Sequence, residues 1–208
     1  MPDDFSMYAS KFGVSRETFS MLEDFVDLLG NWNDKMNLVS KDSYKEVWRR
    51  HILDSCQIAD FIPSSSRIIV DIGAGAGFPG LVLAIMGFSG VNLVESNSRK
   101  CAFLREAARV VGSTVTVHNL RLGKTVDPKF LMAKPDIITA RAVAPLVDLL
   151  DIVSTIVYDQ TCCIFPKGIL AQDEVMEAEK KWIFELEKMP NKLDSSGVIL
   201  KLSDIRPR

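Results

Sequence analysis

Between Ile68 and Leu83 the chain reads I-I-V-D-I-G-A-G-A-G-F-P-G-L-V-L, an apolar run followed by glycines at alternate positions and then a second apolar run. Gly73, Gly75 and Gly77 between a strand and a helix predict a tight turn whose backbone lets a ligand come close. Pro79 suits a first helical turn, where its fixed φ fits and its missing N–H is not needed. Gly75-x-Gly77-x-x-Gly80 formally matches the dinucleotide fingerprint, and Glu95 follows at about 20 residues, where a ribose-binding acid is expected. Two side chains argue for a different ligand. A carboxylate at Asp71 repels a pyrophosphate and attracts a cationic sulfonium or amino group. The ring of Phe78 crowds a diphosphate but packs well on an adenosyl group. The segment therefore predicts a site for S-adenosylmethionine in preference to NAD, with Glu95 accepting hydrogen bonds from the ribose.

Such a loop needs strands and helices to hold it. Arg67–Ile72, Val91–Glu95, Val115–Asn119, Asp136–Ala140 and Thr161–Phe165 read as short strands. Helical patterns near Pro79–Met86, Ser98–Val111 and Pro145–Val157 alternate with them, which predicts a doubly wound α/β sheet with parallel pairing. Ile183–Met189 and Val198–Leu202, around the turn-like Leu193-Asp-Ser-Ser-Gly197, read as an antiparallel pair at one sheet edge after a helix at Gln172–Lys181. An alternative extends that helix through Trp182–Leu186. Ahead of Pro63 two helices are expected, one from Ser15 to about Trp32 and one from about Ser43 to Phe61. They divide the chain into an N-terminal helical extension, 1–63, packed on a main domain, 64–208.

The 208 residues carry a formal charge of −2, which excludes a protein that coats nucleic acid by general positive charge. Local basic faces remain. Lys41, Lys45, Arg49, Arg50 and His51 form one cluster. Arg99, Lys100, Arg105 and Arg109 form a second, in which Arg105 and Arg109 share a helical face. No apolar run approaches the about 20 residues that span a bilayer, and the acidic start does not resemble a signal peptide, so a cytoplasmic address and no membrane partner are expected. Four scattered or adjacent cysteines and two histidines predict buried thiols and no metal site.

Together, Asn37-Leu-Val, Arg50-His-Ile-Leu-Asp-Ser55, Asp71 through Gly80, Leu93-Val-Glu-Ser96, Lys100 with Phe103-Leu-Arg105, Ile138-Thr-Ala-Arg-Ala142 and Lys167-Gly168 resemble the bacterial 16S rRNA guanine-N7 methyltransferases first named glucose-inhibited division protein B. The resemblance covers roughly residues 19 to 170. It implies a class I methyltransferase sheet of seven strands, Rossmann-like, with the last strand antiparallel. It further implies methyl transfer from S-adenosylmethionine to N7 of a guanine in the 530 loop of 16S rRNA, with the rRNA or the small ribosomal subunit as partner. Cofactor contacts carried over by position fall on Gly73, Phe78, Arg141 and the pair Leu122-Gly123, where the family usually has a glutamate at 123. Arg49, Arg50, Lys100, Arg105, Arg109 and Lys167 are the candidate RNA contacts, with Arg141 and Lys167 nearer the cofactor. No general base is expected, because guanine N7 carries a free lone pair and no proton. Competing readings are an NAD-dependent oxidoreductase and a non-catalytic ribosome-associated module.

Overall fold

A computed structural model describes residues 12–123, 130, 131 and 133–208. Ser15 caps the first helix, α1 (Arg16–Met36), its side chain accepting from Thr18 N–H at 3.1 Å. The helix expected to end at about Trp32 continues to Met36 with partly or fully exposed residues and is closed by left-handed Asn37. A short α2 (Lys41–Lys45) follows, capped by Ser40.

The expected continuous helix from Ser43 to Phe61 is not formed. The chain makes a π-helical turn over Trp48–Leu53, then α3 (Asp54–Cys56), then a 3-10 turn over Gln57–Phe61. Two carbonyls of the π turn bond to side chains, which accounts locally for the change. Arg50 O accepts from Arg141 at 2.8 Å and His51 O from Ser55 Oγ at 2.6 Å.

The sheet contains β1 (Ile69–Ile72), β2 (Val91–Glu95), β3 (Val115–Asn119), β4 (Ile137–Ala140), β5 (Cys162–Lys167), β6 (Trp182–Pro190) and β7 (Val198–Pro207) in the order β3-β2-β1-β4-β5-β7-β6. β1 pairs in parallel with both β2 and β4, with Ile69 opposite Val91 and Ile137. β7 runs antiparallel to β5, placing Leu200 opposite Phe165, and β6 closes the edge. The fold is thus the expected seven-stranded, doubly wound sheet with a reversed last strand. Residue 182 begins β6 rather than extending the helix before it.

The helices between strands are α4 (Gly80–Ile85), α5 (Ser98–Val110), α6 (Leu146–Val153) and α7 (Ala171–Glu179). Because the winding reverses between β1 and β4, their adjacent C-terminal ends open a crevice, the usual ligand position in open α/β sheets. The glycine loop leaves β1 at this point. One core cluster joins Leu22, Phe25 and Leu29 of α1 to Phe78, Leu81 and Phe103. Phe25 lies 5.4 Å from Phe78 and Trp32 lies 5.7 Å from Phe103, centroid to centroid, so α1 helps to hold both the glycine loop and α5.

Candidate functional site

Gly73, Gly75 and Gly77 have φ of 65°, 55° and 93°, in the region that favours glycine. A side chain at Gly73 would strike Val143, and one at Gly77 would crowd Leu81 and Phe25. A Cβ at Gly75 would meet only Gly73 O, at 3.6 Å, and otherwise face open space. Gly73 is exposed and Gly75 partly so, and of the two only Gly75 has open space where a side chain would stand. Its N–H donates to Glu95 Oε2 at 3.0 Å, while Glu95 Oε1 accepts from Asn97 N–H at 2.7 Å. A carboxylate offers about four acceptor positions, so hydroxyl donors can still be received there. Asn119, which sequence reasoning missed, fixes this corner by donating to the carbonyls of Glu95 and Ser96 at 3.2 and 3.1 Å.

Asp71 does not face the loop's open side, contrary to expectation. It is fully buried, its Oδ2 accepting from Gly80 N–H at 3.0 Å and its Oδ1 from Thr139 Oγ1 at 2.9 Å. The carboxylate ties β1 to the start of α4 and to β4, and Gly80 is required because a Cβ there would lie 2.6 Å from Asp71 Cβ. Phe78 is also turned inward. Its ring stacks on His51 at 4.8 Å and packs on Phe25, with the Arg141 guanidinium 5.1 Å from its centroid. At 4% exposure it has no face left for an adenosyl group.

Burial raises the Asp71 carboxyl to about 7, against the lowering effects of Gly80, Thr139 and Arg141. The folded protein thus holds this proton more tightly than the unfolded chain. Its contribution to stability is complete below about pH 4 and is lost as pH rises through about 7. Asp71→Asn, whose amide can accept from Gly80 and donate to Thr139, should flatten that loss. Urea unfolding at pH 5 and pH 8 should show the wild-type stability declining more than the variant's, by a difference of about 2–4 kcal/mol. Equal declines would mean that Asp71 is ionised throughout. His51, lowered to about 4 by burial and the neighbouring Arg141 and Arg50, acts in the opposite direction in both proteins.

The Arg141 guanidinium lies against the Phe78 ring of the glycine loop and turns its donors to the Arg50–Ser55 segment. It donates to Arg50 O at 2.8 Å, Asp54 Oδ2 at 3.2 Å and His51 Nδ1 at 2.6 Å, which leaves Nε2–H of His51 to donate to Ser43 Oγ at 2.9 Å. Asp54 Oδ1 in turn accepts from Gln57 and from Asn191 in the β6–β7 connection. The Arg50–Ser55 segment thereby joins the N-terminal helices, the exit from β4 and the C-terminal hairpin. Arg141, expected among the cofactor contacts, thus braces this segment and also lines the adjoining cleft. Val143, two residues on, supplies the contact with Gly73.

A cleft of about 930 Å³ opens beside the loop after β4 and is lined in part by Arg49, Arg50, Arg141, Val143, Lys167 and Gly168. Its cations are not free. Arg50 pairs with Glu46 at 3.2 Å, and Arg49 donates to Leu193 O at 2.8 Å. Lys167 is nearly buried between Glu174 and Ala144 O, both at 2.7 Å, so it cannot offer its charge to RNA as expected. Lys100, Arg105 and Arg109 lie elsewhere, on α5. Arg109 makes a two-pronged pair with Glu106 at 3.0 and 2.8 Å, and Arg105 donates to Val117 O at 3.1 Å. At 1.5 Å per residue they stand about 10 Å (Arg105) and 16 Å (Arg109) along the helix from Ser98. Leu122 is buried in the second core cluster, while Gly123 has open space where a side chain would stand.

A glycine loop at the switch point, an acid ending β2 and a reversed β7 define the class I methyltransferase fold. The ribosomal protein L11 methylase of Lactobacillus delbrueckii subsp. bulgaricus shares it, with TM-score 0.58 and 17% identity over 74% of this chain and 78% of that one. So does the glycopeptide N-methyltransferase MtfA complexed with S-adenosyl-L-methionine, with TM-score 0.58 and 10% identity over 74% of this chain and 93% of that one. The profile described as rRNA small subunit methyltransferase G matches residues 18–196. Over 201 residues the chain is 44% identical to ribosomal RNA small subunit methyltransferase G of Rhodospirillum centenum, spanning 97% of this chain and 91% of that protein. The chain belongs to the rRNA small subunit methyltransferase G family.

Proposed function

We propose that the chain transfers a methyl group from S-adenosylmethionine to N7 of a guanine in the 530 loop of 16S rRNA, acting in the cytoplasm on the small ribosomal subunit or a precursor of it. Family membership carries the RNA substrate. The loop geometry supports the cofactor, since Gly75 presents open backbone next to an acid that retains acceptor capacity. When bound, S-adenosylmethionine supplies a methyl group on a good leaving group. The chain's own part is to orient and to exclude water. Glu95 would accept the ribose hydroxyls, the loop backbone would admit the adenosyl group, and the crevice would bring N7 to the methyl group that the cofactor supplies. N7 has no proton to remove, so no side chain acts as a base. No helix among the described residues is long and apolar enough to cross a membrane.

The test is methylation of small subunits from a strain lacking the enzyme, read by primer extension after N7-specific cleavage. Retention of labelled S-adenosylmethionine but not labelled NAD should accompany it. Subunits left unmethylated by cofactor-bound protein would favour the non-catalytic reading. Glu95→Ala should weaken S-adenosylmethionine binding by about 1.5–3 kcal/mol through loss of charge-assisted hydrogen bonds. An unchanged dissociation constant in calorimetry would place the ribose elsewhere.

For the RNA, Arg49 and Arg50 are favoured over the α5 cluster, because they border the cleft and hold exposed partners that phosphate can replace. Arg49→Glu/Arg50→Glu should lower RNA affinity and flatten its salt slope by about one unit per lost contact, with S-adenosylmethionine binding intact. Arg105→Glu/Arg109→Glu should do less. The reverse ranking would put the RNA along α5.

A further inference from the structure

Three exposed aliphatic side chains gather where β4 and β5, parallel neighbours, end. Val143 is 36% exposed in the loop after β4, and Ile169 and Leu170 are 79% and 62% exposed after β5. Ala171 N–H bonds to Gly168 O at 3.0 Å, so Ile169 and Leu170 form the tip of a tight turn. That turn is held rigidly. Lys167 bonds to Ala144 O in the neighbouring loop and to Glu174 Oε2, and Glu174 Oε2 also accepts from Leu146 N–H at 2.8 Å. Held on so firm a base, the three side chains keep their apolar surface in water, where burial against a ligand would be favourable. The turn stands at the C-terminal ends of the parallel strands, where the glycine loop also leaves β1, beside a cleft that Gly168, Val143, Arg49 and Arg50 help to line.

We propose that the Ile169–Leu170 turn is a wedge that enters the base stack of the substrate RNA and fills the place left by the target guanine. This rests on the reading of the chain as a small-subunit rRNA methyltransferase. In helical RNA guanine N7 faces a deep, narrow groove, so an enzyme reaches it on a loop base or by unstacking the base, and unstacking is costly. Proteins that unstack bases insert short apolar side chains between them, which restores part of the lost contact. An exposed aliphatic pair at the reacting edge, with arginines nearby for the flanking phosphates, matches that requirement.

The variant Ile169→Ala/Leu170→Ala removes the wedge at exposed positions, where the fold tolerates substitution. On naked small-subunit rRNA its kcat should fall on the order of tenfold, since the wedge offsets unstacking in the reacting complex. KM for the RNA should rise at the same time, because the unstacked complex is no longer populated, while the S-adenosylmethionine dissociation constant should stay at its wild-type value. Ile169→Met/Leu170→Met, apolar and of similar size, should restore the rate. In RNA carrying 2-aminopurine next to the target guanine, fluorescence should rise on binding wild type and the methionine variant, and not the alanine variant. Wild-type kcat and fluorescence in the alanine variant would overturn the wedge while leaving the methyltransferase reading intact. A loss seen only with whole subunits, with naked RNA methylated normally, would also overturn it, assigning the turn to a ribosomal protein. Wild-type protein that binds S-adenosylmethionine yet methylates neither RNA nor subunits would overturn the reading on which the wedge rests.

Discussion

Gly75→Val should abolish measurable S-adenosylmethionine binding in a protein that still folds. The substitution acts in two separable ways. A left-handed φ of 55° strains any L side chain, by about 1–2 kcal/mol and somewhat more for a β-branched one. That is a fraction of the about 5–15 kcal/mol that holds a domain of this size together. The Cβ itself meets nothing but Gly73 O at 3.6 Å, so it forces no repacking. The methyl groups beyond it project into the open space where backbone approach of the adenosyl group is required, and there they exclude it. Gly112→Val is the matching control. Its φ of 65° imposes similar strain, with nothing within 4 Å of the added Cβ, at a position after α5 outside the loop. Calorimetry should give wild-type affinity for the control and no heat for Gly75→Val, with both proteins showing cooperative thermal unfolding. Wild-type affinity in a folded Gly75→Val protein would remove the loop from the cofactor site.

How far the sequence discloses this arrangement depends on the range of the forces involved. β2 and β3 are found over the residues their apolar patterns predict, Val91–Glu95 and Val115–Asn119, because a strand's alternation is set by its own few residues. The glycine loop is legible for the same reason, since backbone permissiveness is a property of the residue type. The π turn is not. Val47, Trp48, Ile52 and Cys56 recur at spacings that suit an ordinary helix, and periodicity cannot register a change in the hydrogen-bonding ladder. Nor does residue type give direction. Asp71 lies next to last in its strand, close to the loop, but desolvation and two internal donors turn it toward Gly80 and Thr139. The basic clusters fail similarly. Arg141 finds Asp54 and Arg49 finds Leu193 O only through the tertiary fold, so which cations stay available to phosphate is decided by distant partners. Asn119 and Asn191 carry no local signal, being ordinary polar residues in a strand end and a turn.

Arg141→Ala should destabilise the protein by about 3–5 kcal/mol, the range for removing one partner of a mostly buried ion pair. Both Arg141 and Asp54 side chains are 17% exposed, so water screens the pair only weakly. Desolvation lowers the pKa of Arg141 while Asp54 raises it, yet arginine stays protonated and the group must be matched where it sits. The alanine variant leaves Arg50 O and His51 Nδ1 without their donor and removes the cation resting on the Phe78 ring. Arg141→Lys keeps the charge, but a single ammonium cannot reach the three acceptors that the planar guanidinium serves. It should recover less than half of the loss. A double-mutant cycle with Asp54→Ala isolates the pair. The double variant should be destabilised by less than the sum of the two singles, with a coupling of about 1–3 kcal/mol. Asp54→Ala retains Arg141's bond to Arg50 O and so should cost less than Arg141→Ala. Affinity for S-adenosylmethionine, measured where each variant remains folded, should change far less than stability, because the guanidinium gives its donors to Arg50 O, His51 and Asp54. Urea unfolding and calorimetry on the same preparations separate the two effects. Wild-type stability with sharply weakened cofactor binding would reverse this assignment and make Arg141 a direct ligand contact.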